Sequence, residues 1–258
     1  MNKPQVIFFG NGPLADYALA VLEKKCEIIF HAREKADLEI VKKMKATHPG
    51  AHGVLASFGV MIKTDVLEIF EPEGILNIHP SLLPKYRGAS PIESAIVAGE
   101  TDFSVSVMKL VKAMDAGPVY YQETLKGLSL DKKVIYKELA EAGAKWITRN
   151  LENLPESVAQ VGEATFTGKL DKTMSWLKPG TETTEQILRK IVAYQGFPKA
   201  KYTFYGQNCI ILEAHIAKAG ETALLTLECQ DGAVVVDLLQ PEGKRPMDAK
   251  SFLNGYRR

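Results

Sequence analysis

The chain has 258 residues, of which 46% are hydrophobic and 24% charged, and its formal net charge is +1. These values exclude a polycation that coats nucleic acid or membrane along its whole length, and they suffice for one large domain or two smaller ones. The three cysteines lie far apart without a CxxC pair, which argues against a zinc site or a disulfide framework. The sequence contains no run of about 18 apolar residues, so no membrane span is predicted.

Strand and helix patterns alternate through the first part of the chain. Four strand patterns lie at residues 5–10, 27–31, 51–58 and 74–80. Each is followed by a helical pattern, at 13–25, 37–47, 64–72 and 90–99 respectively. Alternation over 102–111 predicts a half-buried strand, and another strand at 118–127 precedes a long amphipathic helix over 130–154. The pattern predicts an α/β fold with a mostly parallel twisted sheet, Rossmann-like, and helices on both faces.

The second part of the chain has a different pattern. Residues 161–180 have few periodic apolar positions and are expected to be a linker. A helix pattern at 183–195 then precedes short strand patterns at 200–206, 208–216, 223–229 and 232–241. We therefore predict a sheet domain over 1–160, a linker over 161–180 and a small β-rich domain over 181–258. Residues 165–258 contain 13 Lys or Arg against 10 Asp or Glu, a slight excess that points towards an anionic partner.

The turn after the first strand, "GNGP", contains two of the three glycines of a dinucleotide-binding loop. Ala15 stands at the third position, which that motif tolerates. The second strand, however, ends in "FHARE", which offers no clear acidic residue for a ribose. A plain strand-to-helix turn near a ligand is therefore favoured over a dinucleotide site.

Asn77 and His79 lie two positions apart at the end of the predicted strand 74–80, so both side chains point to the same side. A lone histidine is more often a satisfied core or capping residue than a catalyst. The asparagine changes this balance, because an imidazole that carries a proton near neutral pH and a carboxamide are both hydrogen-bond donors. Two convergent donors at the open end of a sheet suit an oxygen that develops negative charge.

Asp115 follows the strand pattern 102–111 in the sequence "MDAGP" and is expected to reach the same sheet edge. One interpretation is a carboxylate that orients His79 and raises its proton affinity. The other is a turn carboxylate that caps its own backbone.

The segment "SLLPKYRG" has a loop composition but carries Leu82 and Leu83. The paired leucines either form an apolar wall for a flat heterocyclic ligand or pack beneath the loop. Gly88 permits close approach of another backbone. In the C-terminal tail, Lys244 and Arg245 either contact phosphates or form a solvated face.

The segment "NIHPSLLPKYRGASPIESAIVAGE", followed by "MDAGP", resembles the active-site signature of the folate-dependent formyltransferases. In that family Asn-x-His-x-Ser-Leu-Leu-Pro precedes an Asp-x-Gly. The signature is shared by enzymes that formylate glycinamide ribonucleotide, sugar nucleotides and methionyl-tRNA, and by the hydrolase-like domain of formyltetrahydrofolate dehydrogenase. It therefore implies formyl-transfer chemistry and leaves the acceptor open.

The acceptor is indicated by the second half. "FTGKLDKTMSWLKPGTETTEQILRKIVAYQGFPKAKYTFYGQNCIIL" is similar to the linker and opening of the C-terminal domain of methionyl-tRNA formyltransferases, and "LLQPEGKRPMDAKSFLNG" is similar to their closing segment. With "VIFFGNGPLADYAL" near the start, the resemblance covers nearly the whole chain. It implies an OB-like β-barrel domain and a role in translation initiation.

The resemblance implies that 10-formyltetrahydrofolate is the co-substrate and that the amine of initiator methionyl-tRNA is the acceptor. Protonated His79 and Asn77 would bind the negatively charged oxygen formed by amine attack, and Asp115 would hold His79 and help to move the released proton. No metal is required. The residues expected to line the folate pocket are Ser81, Leu82, Leu83 and Pro84.

The expected partners are tRNA and a small folate molecule, with no membrane, in a cytoplasmic monomer. Lys169, Lys172 and Lys178 of the linker, together with the barrel, would hold tRNA phosphates through salt-sensitive contacts. The alternatives are a formyltransferase for another amine, such as an amino-sugar nucleotide, a formyltetrahydrofolate hydrolase, and a non-catalytic RNA-binding protein. The intact triad of Asn77, His79 and Asp115 argues against the last.

One departure from the family pattern concerns the region after the second strand. Methionyl-tRNA formyltransferases carry an Arg- and Gly-rich insertion there that enters the acceptor-stem region of the tRNA. Here the chain runs from "EIIFHAREKADLEIVKKM" into a helix without such a loop. Either discrimination of the initiator tRNA is lost with this loop, or Arg33, Lys35 and their neighbours perform it in a reduced form. Formyl transfer itself is not affected.

Overall fold

The structure, a computed structural model, describes residues 3–256. The chain forms two compact units. The first consists of Met1–Ile92 and Thr101–Gly168, and the second of Glu93–Glu100 and Lys169–Arg258. The domain boundaries given above, 1–160, 161–180 and 181–258, stay a prediction.

Eight strands and five α-helices lie within the described residues 3–168. The strands are β1 (Gln5–Gly10), β2 (Glu27–Ala32), β3 (His52–Ala56), β4 (Ile75–His79), β5 (Arg87–Gly88), β6 (Phe103–Lys109), β7 (Val119–Leu125) and β8 (Phe166–Thr167). The helices are α1 (Pro13–Lys25), α2 (Leu38–Thr47), α3 (Thr64–Glu68), α4 (Pro91–Ala98) and α5 (Lys132–Asn150). Helix α1 begins with a proline, which needs no hydrogen-bond acceptor there, and Asp131 caps α5 by accepting from the amide of Lys133 at 2.8 Å.

Six of these strands form one sheet in the order β2-β1-β3-β4-β6-β7. The pairs among β2, β1, β3 and β4 are parallel, and β6 and β7 are added antiparallel. A separate two-stranded parallel sheet joins β5 to β8. The predicted α/β fold with a mostly parallel sheet is confirmed.

Strand β6 differs from the half-buried strand that its alternation predicts. It lies between β4 and β7, and five of its seven residues are buried. Ser106 is fully buried because its hydroxyl donates to the carbonyl of Ser81 at 2.6 Å and accepts from the amide of Leu83 at 3.2 Å. A polar side chain whose hydrogen bonds are satisfied can be buried at little cost.

Helix α5 packs on one face of the sheet and thereby sets the direction of the β4 side chains. A Cβ on Gly143 of α5 would lie 2.8 Å from Ile78, so this residue of β4 faces the helix closely. Asn77 and His79 flank Ile78, and alternate residues of a strand point to opposite faces. Both therefore point to the sheet face opposite α5.

The second unit contains strands β9 (Lys201–Phe204), β10 (Gln207–Ile216), β11 (Thr226–Cys229), β12 (Gly232–Pro241) and β13 (Met247–Asp248), and helices α6 (Thr184–Ala193) and α7 (Ala249–Tyr256). The strands form an antiparallel sheet in the order β11-β12-β10-β9, with β13 also on β12, curled into a half-barrel. Thr183 and Gln186 form a capping box at the start of α6. The predicted small β-rich architecture is confirmed.

Among residues 3–256, none of the helices has both the length and the apolar character needed to cross a membrane.

Candidate active site

Asn77 and His79 lie within the last three residues of β4, and each is only 5% exposed. The Asn77 side chain makes no hydrogen bond to any residue between 3 and 256, yet no buried side-chain nitrogen or oxygen in that range lacks a partner. Its amide group must therefore reach open space while most of the side chain is buried. This leaves an oriented donor available to a ligand.

His79 is fixed by a hydrogen bond through Nε2 and faces Asp115 through Nδ1. Nε2 lies 3.0 Å from the carbonyl oxygen of Tyr86, and because a carbonyl only accepts, Nε2 carries the hydrogen and donates it. Nδ1 lies 3.8 Å from Oδ2 of Asp115, which is close enough for an ion pair but too long for a hydrogen bond. The structure thus brings His79 and Asp115 together, as predicted.

Asp115 reaches His79 by a different route from the predicted one. Strand β6 is antiparallel to β4, so it ends at Lys109 beside Leu76, about 10 Å along β4 from His79. The loop 110–118 must therefore fold back towards His79. Asp115 has a φ of 47° in this loop, in the left-handed region that non-glycine residues rarely adopt.

The Asp115 carboxylate is held by a main-chain group as well as by His79. The amide of Gly88 donates to Oδ2 at 2.8 Å. Gly88 has a φ of 117°, and a Cβ there would lie 2.2 Å from the carbonyl oxygen of Thr167, on the paired strand β8. Only glycine fits this position, so the close backbone approach inferred for Gly88 is present.

The loop that follows β4 is tied to the neighbouring strands. Ser81 donates through its hydroxyl to the carbonyl of Lys85 at 2.6 Å. Gln122 of β7 donates to the carbonyl of Leu83 at 2.8 Å and to the hydroxyl of Ser106 at 3.0 Å. These bonds fix the main chain of the loop beside the end of β4.

The two leucines of this loop have different environments. Leu83 is 4% exposed and packs with Met108 and Val119 in a small core cluster, whereas Leu82 is 41% exposed. Pro84, which follows a cis peptide bond, is half-buried. The side chains of Leu82 and Pro84 are therefore accessible to a ligand, and that of Leu83 supports the loop from below. Their assignment to the folate pocket stays a prediction.

The turn between β1 and α1 lies at the carboxyl end of a parallel strand, where ligands of such sheets bind. His31, at the end of β2, donates through Nε2 to the carbonyl of Gly10 at 2.8 Å. Arg33 donates through Nε to Nδ1 of His31 at 3.3 Å and is exposed, as is Lys35. The role of Arg33 and Lys35 towards tRNA stays a prediction.

The basic residues proposed to contact phosphates lie in the second unit. Lys169, Lys172, Lys178, Lys244 and Arg245 are all exposed. None of their charged groups forms an ion pair with a residue in the described range 3–256. Their charges are therefore available to an anionic partner.

Residues 3–256 contain no group of three or more His, Cys, Asp and Glu side chains arranged to hold a metal ion.

Several contacts of this site were not predicted from the sequence. His79 is bonded to the main-chain carbonyl of Tyr86, and Asp115 to the main-chain amide of Gly88. Residue type gives no signal for a main-chain partner. Ser106 and Gln122 support the loop from two neighbouring strands. The even spacing of polar residues on β6 was the available signal for Ser106.

Comparison with known proteins decides the family. Residues 2–151 match the model of the family described as "Formyl transferase", and residues 169–257 match "Formyl transferase, C-terminal domain". The chain belongs to the formyltransferase family. The methionyl-tRNA formyltransferase of Cereibacter sphaeroides is 34% identical over 215 residues, which cover 79% of this chain and 70% of the relative. The resemblance stated from the sequence motifs is thus confirmed.

Two solved formyltransferase-like folds extend the comparison. A methionyl-tRNA formyltransferase from Clostridium thermocellum has a TM-score of 0.67 and 18% identity, with 93% of this chain and 98% of that chain covered. HypX from Aquifex aeolicus, solved in complex with tetrahydrofolic acid, has a TM-score of 0.77 and 17% identity over all of this chain. The chain spans about half the length of HypX, covering 48% of it. At these identities the likeness shows the shared fold alone.

Proposed function

We propose that the protein transfers a formyl group from 10-formyltetrahydrofolate to the amino group of methionyl-tRNA. The observation that carries this proposal is the meeting of Asn77, His79 and Asp115 at the end of β4, in a chain of the formyltransferase family. The relative from Cereibacter sphaeroides bears the name of this activity, and its alignment covers 79% of this chain.

Asn77 and His79 act on the oxygen of the formyl group. Amine attack places negative charge on that oxygen, and donors already oriented towards it stabilise the charge without reorganising. The Asn77 amide is oriented by its buried strand, and His79 is locked by its bond to Tyr86. In its protonated form His79 carries a second hydrogen on Nδ1, the nitrogen that is free to donate on the Asp115 side.

Asp115 places a negative charge beside His79 and accepts the proton that the attacking amine releases. Its Oδ2 atom is occupied by the Gly88 amide and faces His79, while Oδ1 makes no hydrogen bond to a described residue. The carboxylate lies 3.8 Å from Nδ1 of His79 and offers Oδ1 to the proton that the attacking amine loses. The transfer exchanges the bond from the formyl carbon to the folate nitrogen for a bond to the acceptor amine. The proton that the amine loses ends on that folate nitrogen, which leaves as tetrahydrofolate.

The donor molecule fits the loop 81–84. The exposed side chain of Leu82 provides apolar surface for a flat ring, and the main chain of the loop is held rigid by Ser106 and Gln122. Bound there, 10-formyltetrahydrofolate supplies the electrophilic formyl carbon. Ser81, Leu83 and Pro84 shape the loop on either side of Leu82.

The acceptor is held mainly by charge. Lys169, Lys172 and Lys178 are exposed and without ion-pair partners among residues 3–256, which suits contacts with a phosphate backbone. The protein acts as a monomer in the cytoplasm, where its three free thiols are compatible with a reducing environment.

The decisive assay supplies 10-formyltetrahydrofolate with methionyl-tRNA of the initiator type and measures formyl-methionine after deacylation. Uncharged tRNA and the His79→Ala variant are the controls, and neither is expected to give product. Formylation of an amino-sugar nucleotide in place of methionyl-tRNA would overturn the acceptor, and release of formate without any acceptor would identify a hydrolase.

A further inference from the structure

Residues 158–167, here called the strap, lie against both loops that build the site. Val158 pairs with Val119 at the start of β7, next to the loop 110–118. At the other end, the amide of Thr165 donates to the carbonyl of Pro84 at 3.2 Å, and its hydroxyl accepts from the amide of Tyr86 at 2.8 Å. The strap therefore connects the turn that carries Asp115 with the loop that carries the partner of His79.

Gln160 lies near the start of the strap, and its side chain forms hydrogen bonds both to the turn that carries Asp115 and to Arg87. Its Nε2 donates to the main-chain carbonyls of Asp115 and Gly117, each at 2.8 Å. Its Oε1 accepts from Nε and Nη2 of Arg87, at 3.1 and 2.6 Å. All four polar positions of one amide side chain are thus directed at two segments that are distant in sequence.

The turn at Asp115 needs such support. It folds back from the end of β6, and Asp115 holds a positive φ, a conformation that strains a residue with a side chain. The Gln160 side chain donates to the carbonyls of both Asp115 and Gly117 and so ties the two ends of this turn. Gly117 admits no side chain, because a Cβ would lie 1.8 Å from the carbonyl of Lys109.

Arg87 completes the connection. Its neighbour Gly88 donates to the Asp115 carboxylate, while its own guanidinium holds the Oε1 of Gln160. Asp115 is therefore hydrogen-bonded through its main chain to Gln160 and through its side chain to Gly88. Both contacts depend on the two-residue strand β5, which pairs with β8 at the end of the strap.

We propose that Gln160 is a positioning residue for formyl transfer, which acts by holding the Asp115 carboxylate in register with His79. This role rests on the proposed function, since it concerns the same three groups. Gln160 lies between the two regions that match the family models, residues 2–151 and 169–257, and outside the signature that identified the site. Its geometry alone assigns the role.

The kinetic test uses the full chain with Gln160→Leu and Gln160→Glu. Leucine removes both donors and both acceptor positions, whereas glutamate keeps the size and the bond to Arg87 but cannot donate to the two carbonyls. We expect kcat to fall about 10- to 100-fold in both variants, because misplacement by about 1 Å is costly. The KM for methionyl-tRNA should stay within about twofold. Gln5→Leu is the matched control, since Gln5 donates to Glu27 at the amino end of β1 and should leave kcat unchanged.

A double-mutant cycle separates positioning from a general structural role. If Gln160 acts through Asp115, adding Gln160→Leu to Asp115→Ala should lower kcat by less than about twofold further. Multiplicative losses in the double variant would show that Gln160 acts independently of Asp115 and would overturn the proposal.

A second readout does not depend on activity. Hydrogen exchange of the Gly88 amide should accelerate at least about tenfold in Gln160→Leu and Gln160→Glu but not in Gln5→Leu, because Asp115 accepts that hydrogen. Unchanged exchange in both Gln160 variants would overturn the proposal. If the wild type forms no formyl-methionine while Gly88 exchange still accelerates, the proposed function fails and the positioning of Asp115 stands. If the wild type is active and both variants retain full kcat, the positioning role fails and the proposed function stands.

Discussion

The Nδ1 atom of His79 lies 3.8 Å from Oδ2 of Asp115, although Asp115 follows β6, which runs antiparallel to the strand β4 that carries His79. The separation is maintained from outside the pair, by Tyr86 on the histidine and by Gly88 on the aspartate. The geometry of the pair is therefore a property of the surrounding loops as much as of the two side chains.

The first prediction concerns Asn77. Replacement by leucine keeps the volume in the buried strand but removes the amide donor, so kcat should fall about 10²- to 10³-fold. Folate affinity, measured by fluorescence titration, should change by less than about threefold, because the donor acts on charge that develops during the reaction. Asn150→Leu is the control, since Asn150 donates to the carbonyl of Trp146 within α5. Near-normal single-turnover rates in Asn77→Leu would remove Asn77 from the mechanism.

The second prediction concerns Gly88. In Gly88→Ala the new Cβ meets the Thr167 carbonyl, and φ is 117°, so the β5–β8 pairing must shift. We expect a loss of about 1–3 kcal/mol in the free energy of unfolding and a lower kcat, because the amide no longer holds Asp115. Gly168→Ala is the matched control, as a Cβ there has no neighbour within 4 Å. Equal melting temperatures of the two variants would contradict the steric argument.

The third prediction concerns salt. Replacing Lys169, Lys172 and Lys178 by alanine should raise the KM for methionyl-tRNA while leaving kcat at saturation nearly unchanged. The slope of log affinity against log salt should become shallower by about 2 to 3, at about 0.7–0.9 per lost phosphate contact. Alanine at Lys24, Lys25 and Lys43, which are exposed in the first unit, removes the same charge as a control. An identical slope in the two triple variants would exclude the three lysines from the tRNA surface.

The fourth prediction concerns the pH dependence of stability. His215 lies between Asp237, 2.7 Å from Nδ1, and Glu221, 2.9 Å from Nε2. Hydrogen bonds to Asp237 first and Glu221 second raise the pKa of His215 above its ordinary value of 6.5. Because the folded-state pKa is raised, the stabilisation is complete below about pH 6.5 and is lost as pH rises through the folded-state pKa.

Urea denaturation of His215→Gln and the wild type should therefore show a larger difference in unfolding free energy at pH 5.5 than at pH 9. Glu213→Gln, which removes a carboxylate from the same strand without a histidine contact, should show no such trend. A difference that is the same at both pH values would mean that the His215 ion pairs contribute nothing measurable.

Much of the fold follows from sequence periodicity. The bounds of β1, α1 and α5 lie within a few residues of the predicted patterns, because their apolar positions repeat at one clear period. The position of Asn77 and His79 at a strand end is equally readable, since Pro80 and the loop after it interrupt the pattern. Local periodicity does not, however, reveal how strands pair.

The direction of β6 shows this limit. Nothing in residues 103–109 distinguishes a parallel from an antiparallel neighbour of β4, so the return path of Asp115 was missed. The partners of Asp115 and His79 were missed for another reason, because every residue carries a main-chain carbonyl and every residue except proline a main-chain N–H. The half-buried strand predicted over 102–111 is wrong at Ser106, because alternation reflects polarity alone and this hydroxyl is buried with its hydrogen bonds satisfied.

The bond from His79 to the Tyr86 carbonyl exists only while Nε2 retains its hydrogen. The imidazole is thereby restricted to one tautomer, and gain or loss of a proton occurs at the opposite nitrogen alone. Under the proposed function, each catalytic cycle begins from the same ring orientation, with no rotation of the side chain between successive turnovers.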